Sequence, residues 1–527
     1  MPTSGDTRLS QAPAREHVPT SHPTAISSTP GDFARSRVRG DTLFVCLLCA
    51  FAAIRVFFGA AALPFFADTD ENSHFDLVHK LARGQWPGGR LALLDPETTR
   101  DLETIGLAVY YGSPEFVIPR ENYEDKKYPP PVGDWPKGDR KTGYVEGMTE
   151  YYLKHPNHEV HEPPVYYALA AVWYRAGRLF GISPAAGVYW IRFLNAPLYA
   201  ALVALSYRFG RAYFGHETGL AVAALTAFFP NTVFFTISND VLSPLVGVLA
   251  LGLTLRWLDE ERPSAALSAA IGTVAAAAVL IKLTNMAIIG LIAVALLIRV
   301  RRSGSASAAV KASWPLLASA MLPLLLWGCR NRLVLGDWTG TAGKAASETW
   351  TPKPFLLWFD HPLFTFEGSS GYLKKLCVSF FSGDVTWNGA PVHFEVGEVL
   401  LLVATAVLPA VGFAATVRSS HTRLAALLSG LLVVAYVAEM AVISLPWDFG
   451  LCQYPSRTFP FFAMGRYAMG CLVPFLCLFV AGLGVLLGRW RVLFAVAVTA
   501  VVVLMAGMQW TFVRMTISSQ YNWFHLP

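Results

Sequence analysis

The chain is built from long apolar runs separated by short polar segments, most of which carry arginine. A run of roughly 20 apolar residues can cross about 30 Å of hydrocarbon as a helix. Such runs lie at 43–63, 187–209, 217–237, 241–257, 264–282, 284–299, 312–332, 398–417, 424–445, 466–488 and 491–513. The pattern predicts an all-α polytopic membrane protein with a bundle of about eleven transmembrane helices.

Another apolar run, residues 163–181, contains Arg175 and Arg178 and can be read as a span or as a surface helix. The choice inverts every later loop, so the excess of arginine in cytoplasmic loops decides it. If the run lies on the surface, the following arginines all face the cytoplasm: Arg208, Arg211, the cluster at 299–302, Arg418, Arg423, Arg489 and Arg491. We therefore predict that 163–181 forms an amphipathic juxtamembrane helix.

This topology predicts large outward loops at 64–186, 333–397 and 446–465 and a cytoplasmic N-terminus in the plasma (inner) membrane. Residues 1–40 are rich in Ser, Thr, Pro and Arg without apolar periodicity, so we predict that they are disordered. A polar leader of that length argues against a cleavable signal peptide.

The composition fits a membrane protein, with 54% hydrophobic and 15% charged residues and a mean hydropathy of +0.42. The net charge of +6 comes from lysines and arginines at the ends of apolar runs rather than in one patch, which argues against a nucleic-acid partner. The seven cysteines show no metal-ligand spacing, and only a bridge between Cys377 and Cys452 stays open.

Three carboxylates, Asp68, Asp70 and Glu71, directly follow the first apolar run and precede a helical pattern that begins near Asn72. They can cap this helix and complement its dipole. Alternatively, one of them is a general base at the membrane surface that activates an acceptor hydroxyl or amine. The spacing of Asp68, Asp70 and His74 also suits a divalent cation, for which oxygen ligands favour magnesium or manganese.

Other candidate site residues lie in the outward segments. The polar run His158–Glu162 precedes two prolines that start a helix well, and its His161 and Glu162 are candidate binding residues. Lys282 and Arg466 lie at the outer ends of spans, where a cation suits a lipid-linked phosphate. Three more candidates complete the set: Arg192, Asp240 and Tyr467.

The order of these motifs resembles the GT-C superfold of polyprenyl-phosphate-dependent glycosyltransferases, most closely the protein mannosyltransferase and aminoarabinose transferase group (family 39-like). The similar elements are the acidic pair Asp70-Glu71, the helix "HFDLVHKLARGQWP", "HEPPVYYALA", "RFLNAPLYAALVALSYRFGRAYFG" and "GRY" before a late span. The resemblance implies inverting sugar transfer, with a first-loop acid as base, His161 and Pro163-Pro164 as the "HPP" element and Lys282 near the lipid phosphate. An insertion at 88–157 departs from the pattern and could carry acceptor recognition.

The leading hypothesis is therefore a cell-envelope glycosyltransferase with an extracytoplasmic site. In this hypothesis Asp70 deprotonates the acceptor, Asp68 is the alternative base, and Glu71 is a partner of the base. The expected partners are the bilayer, a polyprenyl-phosphate sugar donor and a glycan, lipid or protein acceptor. We expect a catalytic transmembrane module at 41–300 and a C-terminal one at 301–527. The alternative is a transporter or flippase of a lipid-linked substrate, which predicts paired polar residues deep in the spans, such as Glu439.

Overall fold

The computed structural model describes residues 30–66, 70–86, 89, 92–104, 150, 154, 156–183, 186–304, 306–383, 386–387, 390–391, 394–450, 452 and 454–525. Asp68 and most of the insertion at 88–157 lie outside these ranges. The chain divides into a small unit, residues 1–44, and a large unit, residues 45–527. The large unit holds the bundle and every candidate site residue that is described.

The described helices run in chain order as follows: α1 Pro30–Ala62, α2 Glu71–Ala82, α3 Pro96–Thr104, α4 Val165–Leu179, α5 Gly187–Phe193, α6 Asn195–Phe214, α7 His216–Ala227, α8 Ser243–Asp259, α9 Ala265–Ile281, α10 Met286–Ser303, α11 Ala306–Val334, α12 Thr341–Ser347, α13 Phe366–Ser382, α14 Glu395–Arg418, α15 Arg423–Ser444, α16 Leu472–Leu487 and α17 Arg491–Thr516. The described strands are two-residue pieces: β1 Thr351–Pro352, β2 Thr386–Trp387, β3 Ala390–Pro391 and β4 Trp447–Asp448. Strand β1 pairs antiparallel with β4, and β2 with β3. The predicted all-α class is confirmed.

Eight described helical segments are long and apolar enough to cross a membrane. They are Gly40–Ala62, Gly187–Phe214, Asn239–Asp259, Leu283–Ser303, Gly397–Arg418, Arg423–Ser444, Gly465–Leu487 and Arg491–Thr516. The predicted spans at 264–282 and 312–332 correspond to the shorter apolar helix α9 and to the 29-residue helix α11. The chain is thus a multi-pass membrane protein. Its described part contains eight such segments, whereas the sequence predicted about eleven.

The predicted span at 217–237 is wrong in its second half. Helix α7 ends at Ala227, and the chain continues through the short 3-10 turns Thr232–Phe235 and Asn239–Leu242. The reason is Pro230, which lacks an N–H and disfavours a helical conformation in the residue before it. This break places Asp240 in a buried turn rather than in a simple loop.

The N-terminal boundary also differs from the prediction, because α1 begins at Pro30 and so includes eleven residues of the segment expected to be disordered. Proline fits the first turn of a helix, where its missing N–H would have had no partner. Residues 1–29 lie outside the described ranges.

The two juxtamembrane helices form as expected, α2 close to the predicted start and α4 within 163–181. They pack against each other through one aromatic face, where the His79 and Tyr174 rings lie 5.5 Å apart and the His74 and Tyr167 rings 5.8 Å apart. Both are too short to cross a bilayer. Their packing fixes the first acidic residues of α2 against the segment that begins α4.

The loops 333–397 and 446–465 are joined to each other by the β1–β4 pair, in which Thr351 faces Asp448. The loop 333–397 also contains α12 and α13, and α13 lies beside the start of the Gly465–Leu487 segment. All seven cysteines are free, so the Cys377–Cys452 bridge does not form. The buried core follows the facing sides of the spans.

Candidate active site

Asp70 stands at the residue before α2, but its side chain makes no capping hydrogen bond. Its backbone is left-handed, with φ of 66° and ψ of 3°, a conformation that few residues other than glycine adopt and that stores strain. Its carboxylate lies 3.3 Å from His158 Nε2 through Oδ1 and 3.3 Å from Arg466 Nη2 through Oδ2. Asp70 therefore does not serve as a helix cap.

Glu71, the next residue, lies in a different environment and is 1% exposed. It accepts hydrogen bonds from Arg192 Nε at 2.7 Å and from Arg192 Nη2 at 2.6 Å. It also accepts from the backbone N–H groups of Phe66 at 3.0 Å and Ile237 at 2.8 Å. Arg192 in turn donates to the carbonyls of Leu63 and Pro64. The pair thus ties the end of α1 to α5 and to the broken segment after α7.

The polar turn His158–His161 is held against α2 by Asn157. The side chain of Asn157 accepts from the Glu159 N–H and donates to Asp76 Oδ2 at 2.6 Å. His158 then faces three carboxylates, because its Nε2 lies 3.3 Å from Asp70 and 3.2 Å from Glu159, and its Nδ1 lies 3.2 Å from Glu348. One histidine therefore connects the first loop to the loop 333–397.

Glu159 is the centre of a second set of contacts. It accepts a hydrogen bond from Tyr167 Oη at 2.9 Å, and His74 Nδ1 lies 2.7 Å from the same hydroxyl. Lys344 of α12 lies 3.3 Å from Glu159 and 2.8 Å from Glu162. His74 and Glu162, both predicted from the sequence, thus meet in one network.

His161 lies against the backbone of α12 rather than beside Asp70. A Cβ placed on Gly343 would come within 2.5 Å of the His161 ring, so only glycine fits at this approach. The "HEPP" element therefore contributes Glu162 to the polar network, while His161 packs α12 onto it.

The cations form a chain that ends at Asp70. Lys282 Nζ lies 2.7 Å from Asp240 Oδ2, and Arg466 Nε lies 3.9 Å from the same oxygen. The Tyr467 ring lies 4.5 Å from Lys282 Nζ and 5.4 Å from the Arg466 guanidinium carbon. Asp240 is fully buried, and its Oδ1 has no hydrogen-bond partner among the described residues.

These groups come from six separate parts of the chain, and we call them the Asp70 cluster. Its members are Asp70, His74, His158, Glu159, Glu162, Tyr167, Asp240, Lys282, Lys344, Glu348, Arg466 and Tyr467. It lies at the ends of the segments Asn239–Asp259 and Gly465–Leu487 and directly after α9, that is, at one face of the membrane.

The charges of the cluster shift one another's protonation. Burial would raise the pKa of Asp70, but His158 and Arg466 outweigh it and hold that pKa below its ordinary value. Burial would lower the pKa of His158, but Asp70 and Glu159 hold it well above the ordinary value of 6.5. Burial lowers the pKa of His74. The cluster therefore favours ionised Asp70 beside protonated His158 and neutral His74.

Asp70, His158 and Glu159 form a group that could hold a metal ion, since one ligand atom from each lies within 4.8 Å of the others. In the arrangement described, however, Arg466 and Lys344 each lie 3.3 Å from one of the two carboxylates. His158 has a carboxylate at both ring nitrogens, where a protonated ring already supplies positive charge. The residues present fit this network of protonated and cationic partners better than they fit a divalent cation.

The structure thus brings together most of the sequence-predicted candidates, namely Asp70, His74, Glu162, Asp240, Lys282, Arg466 and Tyr467. It places Glu71 and Arg192 in their own buried pair. Lys344 and Glu348 were missed, because a lone lysine and a lone glutamate in a polar loop carry no sequence signal. His158 and Glu159 belonged to a conspicuously polar run and could have been chosen from it.

In a comparison with solved structures, the chain is similar to ArnT from Cupriavidus metallidurans bound to undecaprenyl phosphate, with a TM-score of 0.42 and 15% identity over 91% of this chain and 78% of that one. It is also similar to the Archaeoglobus fulgidus oligosaccharyltransferase in complex with zinc and sulfate, with a TM-score of 0.36 and 12% identity over 68% of this chain and 44% of that one. The apo form of the archaeal protein gives a TM-score of 0.36 and 15% identity over 90% and 56%.

The chain thus spans about half the length of the archaeal protein. No protein-family model matches it, and neither does any curated protein. Because the identities and TM-scores are this low, the function has to be inferred from the geometry of the site. The comparison thus relates the chain to an ArnT bound to undecaprenyl phosphate and to an oligosaccharyltransferase, in line with the resemblance that the sequence indicated.

Proposed function

We propose that the protein is a membrane glycosyltransferase that moves a sugar from a polyprenyl-phosphate donor to an acceptor hydroxyl with inversion. The observation that carries the proposal is the chain Lys282–Asp240–Arg466–Asp70 at one membrane face. It sets two cations beside a carboxylate that keeps 28% of its side chain exposed. A donor with a prenyl tail in the bilayer would present its sugar at this level.

Asp70 is the general base in this proposal. The acceptor hydroxyl attacks the sugar's anomeric carbon from the side opposite the phosphate and gives its proton to Asp70. The bond between that carbon and the phosphate oxygen breaks, and the lipid phosphate leaves with the electron pair. An ionised carboxylate with a reachable oxygen is the group that this step needs.

Lys282 and Arg466 stabilise the departing phosphate. Charge that develops on a leaving group is stabilised most by cations already held in place in a site with little water. Both cations are buried, at 8% and 5% exposure, and both lie over the Tyr467 ring. The guanidinium of Arg466 can pair with two phosphate oxygens, whereas Lys282 acts as a point charge.

The acceptor and the location belong to the same proposal. The acceptor is a glycan, a lipid or a protein hydroxyl, and the site faces out of the plasma (inner) membrane, as the arginine distribution predicts. Asp68 stays the rival base from the sequence, and Glu71 supports α2 through its pair with Arg192.

A metal ion has no role in this mechanism. Transfer by membranes washed with a chelator is therefore expected to continue at the untreated rate. Loss of transfer that magnesium or manganese restores would show that the acidic group binds a cation after all.

The transporter alternative required paired polar groups deep in the spans. Glu439 accepts a hydrogen bond from the Ala287 N–H at 3.0 Å and so caps α10. Arg55 in the first span donates to the Phe229 carbonyl at 3.1 Å, which supports the broken end of α7, and to the Gln509 side chain, which ties the first span to α17. These two groups serve the fold, and the ionisable cluster lies at a membrane face, a distribution that favours transfer over transport.

The test uses purified protein placed in membranes together with native acceptors and radiolabelled polyprenyl-phosphate sugars. The transfer of radiolabel from the donor to the acceptors is measured. Asp70→Asn should remove transfer while the protein stays folded, since asparagine also tolerates the left-handed backbone. Asp448→Asn is the matched control, because Asp448 also pairs with an arginine, Arg457 at 2.9 Å, in an exposed position. Full transfer by Asp70→Asn would exclude Asp70 as the base. Movement of labelled lipid by the wild type without any transfer would favour the transporter.

A further inference from the structure

An exposed set of apolar side chains lies between α12 and the start of α13. We call it the apolar strip, and its members are Phe355, Leu356, Leu357, Phe359, Phe364 and Phe366. Exposure reaches 79% for Leu356 and 90% for Phe366. Contiguous exposed apolar surface of this kind marks contact with a partner or a membrane. The segment cannot be a span, because its 3-10 turns Phe355–Asp360 and Pro362–Phe364 are too short.

Three rings of the strip, those of Phe355, Phe359 and Phe364, contact one another in succession. The Phe355 and Phe359 ring centroids lie 5.6 Å apart, and those of Phe359 and Phe364 lie 6.2 Å apart. The Trp358 ring lies 5.2 Å from that of Phe355. The aromatic groups are thus gathered together instead of being scattered through the loop.

Two backbone contacts fix the level of the strip relative to the spans. The Lys353 N–H donates to the Pro446 carbonyl at 2.7 Å, and Pro446 lies two residues beyond the end of α15. His361 Nε2 lies 3.0 Å from the Pro460 carbonyl, five residues before the segment Gly465–Leu487 begins. The start and the middle of the strip therefore lie at the rim where these two spans leave the bilayer.

Helix α13 packs against both of these spans. Tyr372 Oη donates to the Val437 carbonyl at 2.6 Å, and Val437 lies seven residues, or about 10 Å, inside the end of α15. Further along α13, the Phe380 ring lies 5.3 Å from Phe475, within the segment Gly465–Leu487. Near the end of α13, the Ser379 side chain accepts a hydrogen bond from the Gly465 N–H at 2.7 Å. Helix α13 therefore lies along the ends of both spans, and Phe366 at its start lies near the rim.

We propose that the apolar strip is inserted into the lipid leaflet on the side of the membrane that carries the Asp70 cluster, with phospholipid as its partner. Phenylalanine and leucine suit the boundary between headgroups and acyl chains. Lys353, just before the strip, can extend to phosphate headgroups while its stem stays in the apolar region. The proposal is independent of the reaction, because it rests on exposure and depth alone.

A photo-crosslinking experiment tests this placement in the full-length protein. Phe359 and Phe366 are replaced, one at a time, by benzoylphenylalanine, which keeps an aromatic ring and so preserves packing. Thr458, an exposed polar residue of the loop 446–465, carries the same probe as the control. The purified variants are reconstituted in phosphatidylglycerol and phosphatidylethanolamine nanodiscs, checked for folding by gel filtration, irradiated and analysed by mass spectrometry.

The expected result is a phospholipid adduct on acyl-chain carbons at Phe359 and Phe366, several-fold above the level at Thr458. Irradiation in native membranes should give the same adducts. A covalent dimer, or a crosslink to another protein in native membranes, would overturn the proposal because the strip would then be a protein interface. Adducts no more abundant than at Thr458 would also overturn it, because the strip would then face water.

Discussion

Asp70 and Glu71 are neighbours in the chain, and the structure predicts opposite effects on stability and transfer when each is replaced by its isosteric amide. Glu71→Gln puts an NH₂ group where one carboxylate oxygen accepts hydrogen bonds from Arg192 Nη2 at 2.6 Å or from the Ile237 N–H at 2.8 Å. A donor then faces a donor, and Arg192, which is 0% exposed, loses its counter-ion. Removing one partner of a buried ion pair costs about 3–5 kcal/mol.

The assay is equilibrium unfolding in lipid bicelles, paired with sugar transfer per folded molecule. We expect Glu71→Gln to lower the free energy of unfolding by about 3–5 kcal/mol. The molecules that remain folded should keep transfer near the wild-type level. Asp70→Asn should show the reverse, with no transfer and a smaller loss of stability, because the Asp70 side chain is 28% exposed whereas Glu71 is fully buried.

Glu217→Gln is the matched control for the stability measurement. Glu217 lies 3.7 Å from Arg491 with both side chains largely exposed, and exposed pairs of this kind contribute little. The reasoning fails if Glu71→Gln is as stable as the wild type and yet inactive. In that case Glu71, rather than Asp70, would be the reacting carboxylate.

Three further predictions concern the rest of the cluster. Lys282→Gln should lower kcat/KM for the donor on the order of a hundredfold, because a cation beside the leaving phosphate is lost; an unchanged value in folded protein would remove Lys282 from the site. Gly343→Ala should weaken transfer by pushing α12 away from the His161 ring, whereas Gly371→Ala, whose Cβ meets open space, should not; equal activities would contradict the close approach. Burial would lower the pKa of His158, but Asp70 and Glu159 outweigh it and raise that pKa. Protonated His158 therefore contributes fully to stability below about pH 6.5, and this contribution declines as the pH rises through the raised pKa. Thermal melting from about pH 6 to pH 9 should show a falling melting temperature in the wild type and a flatter profile in His158→Gln.

Much of the architecture followed from local patterns. Apolar periodicity indicated the spans, and arginine placement chose the surface helix α4 over a span. The break at Pro230 shows the limit of this approach, because "AVAALTAFFPNTVFFTIS" is apolar throughout although its helix ends at Ala227. An apolar run predicts burial, but a single proline decides whether the buried backbone is helical.

Site residues could be predicted from the sequence where a charged side chain lay at an unexpected position relative to the membrane. Lys282 and Arg466 lie at the ends of spans on the arginine-poor face, and this alone indicated a role. Lys344 carries no such signal, because a lysine in a long polar loop is normally solvated. Its contacts with Glu159 and Glu162 arise only when α12 packs against the turn His158–His161.

The separation of Asp70 from Glu71 could not be predicted, since it depends on one backbone angle. Consecutive side chains at the start of a helix point about 100° apart, so two adjacent acids cannot share a partner. The backbone of Asp70 is left-handed, and its carboxylate faces Arg466 while Glu71 faces Arg192. The strain at Asp70 thus has a structural use: Glu71 anchors the helix, and the residue beside it keeps a carboxylate in the cluster.

The charge balance of the cluster bears on how a donor phosphate could bind. Five carboxylates, those of Asp70, Glu159, Glu162, Asp240 and Glu348, face three fixed cations and His158. On the proposed function, the phosphate must draw a cation from a carboxylate that already holds it. Arg466 is the cation best placed to move, because it lies 3.3 Å from Asp70 and 3.9 Å from Asp240, whereas Lys282 lies 2.7 Å from Asp240. If Arg466 turns to the phosphate, Asp70 loses a partner that lowers its pKa and becomes a stronger base when the donor is in place.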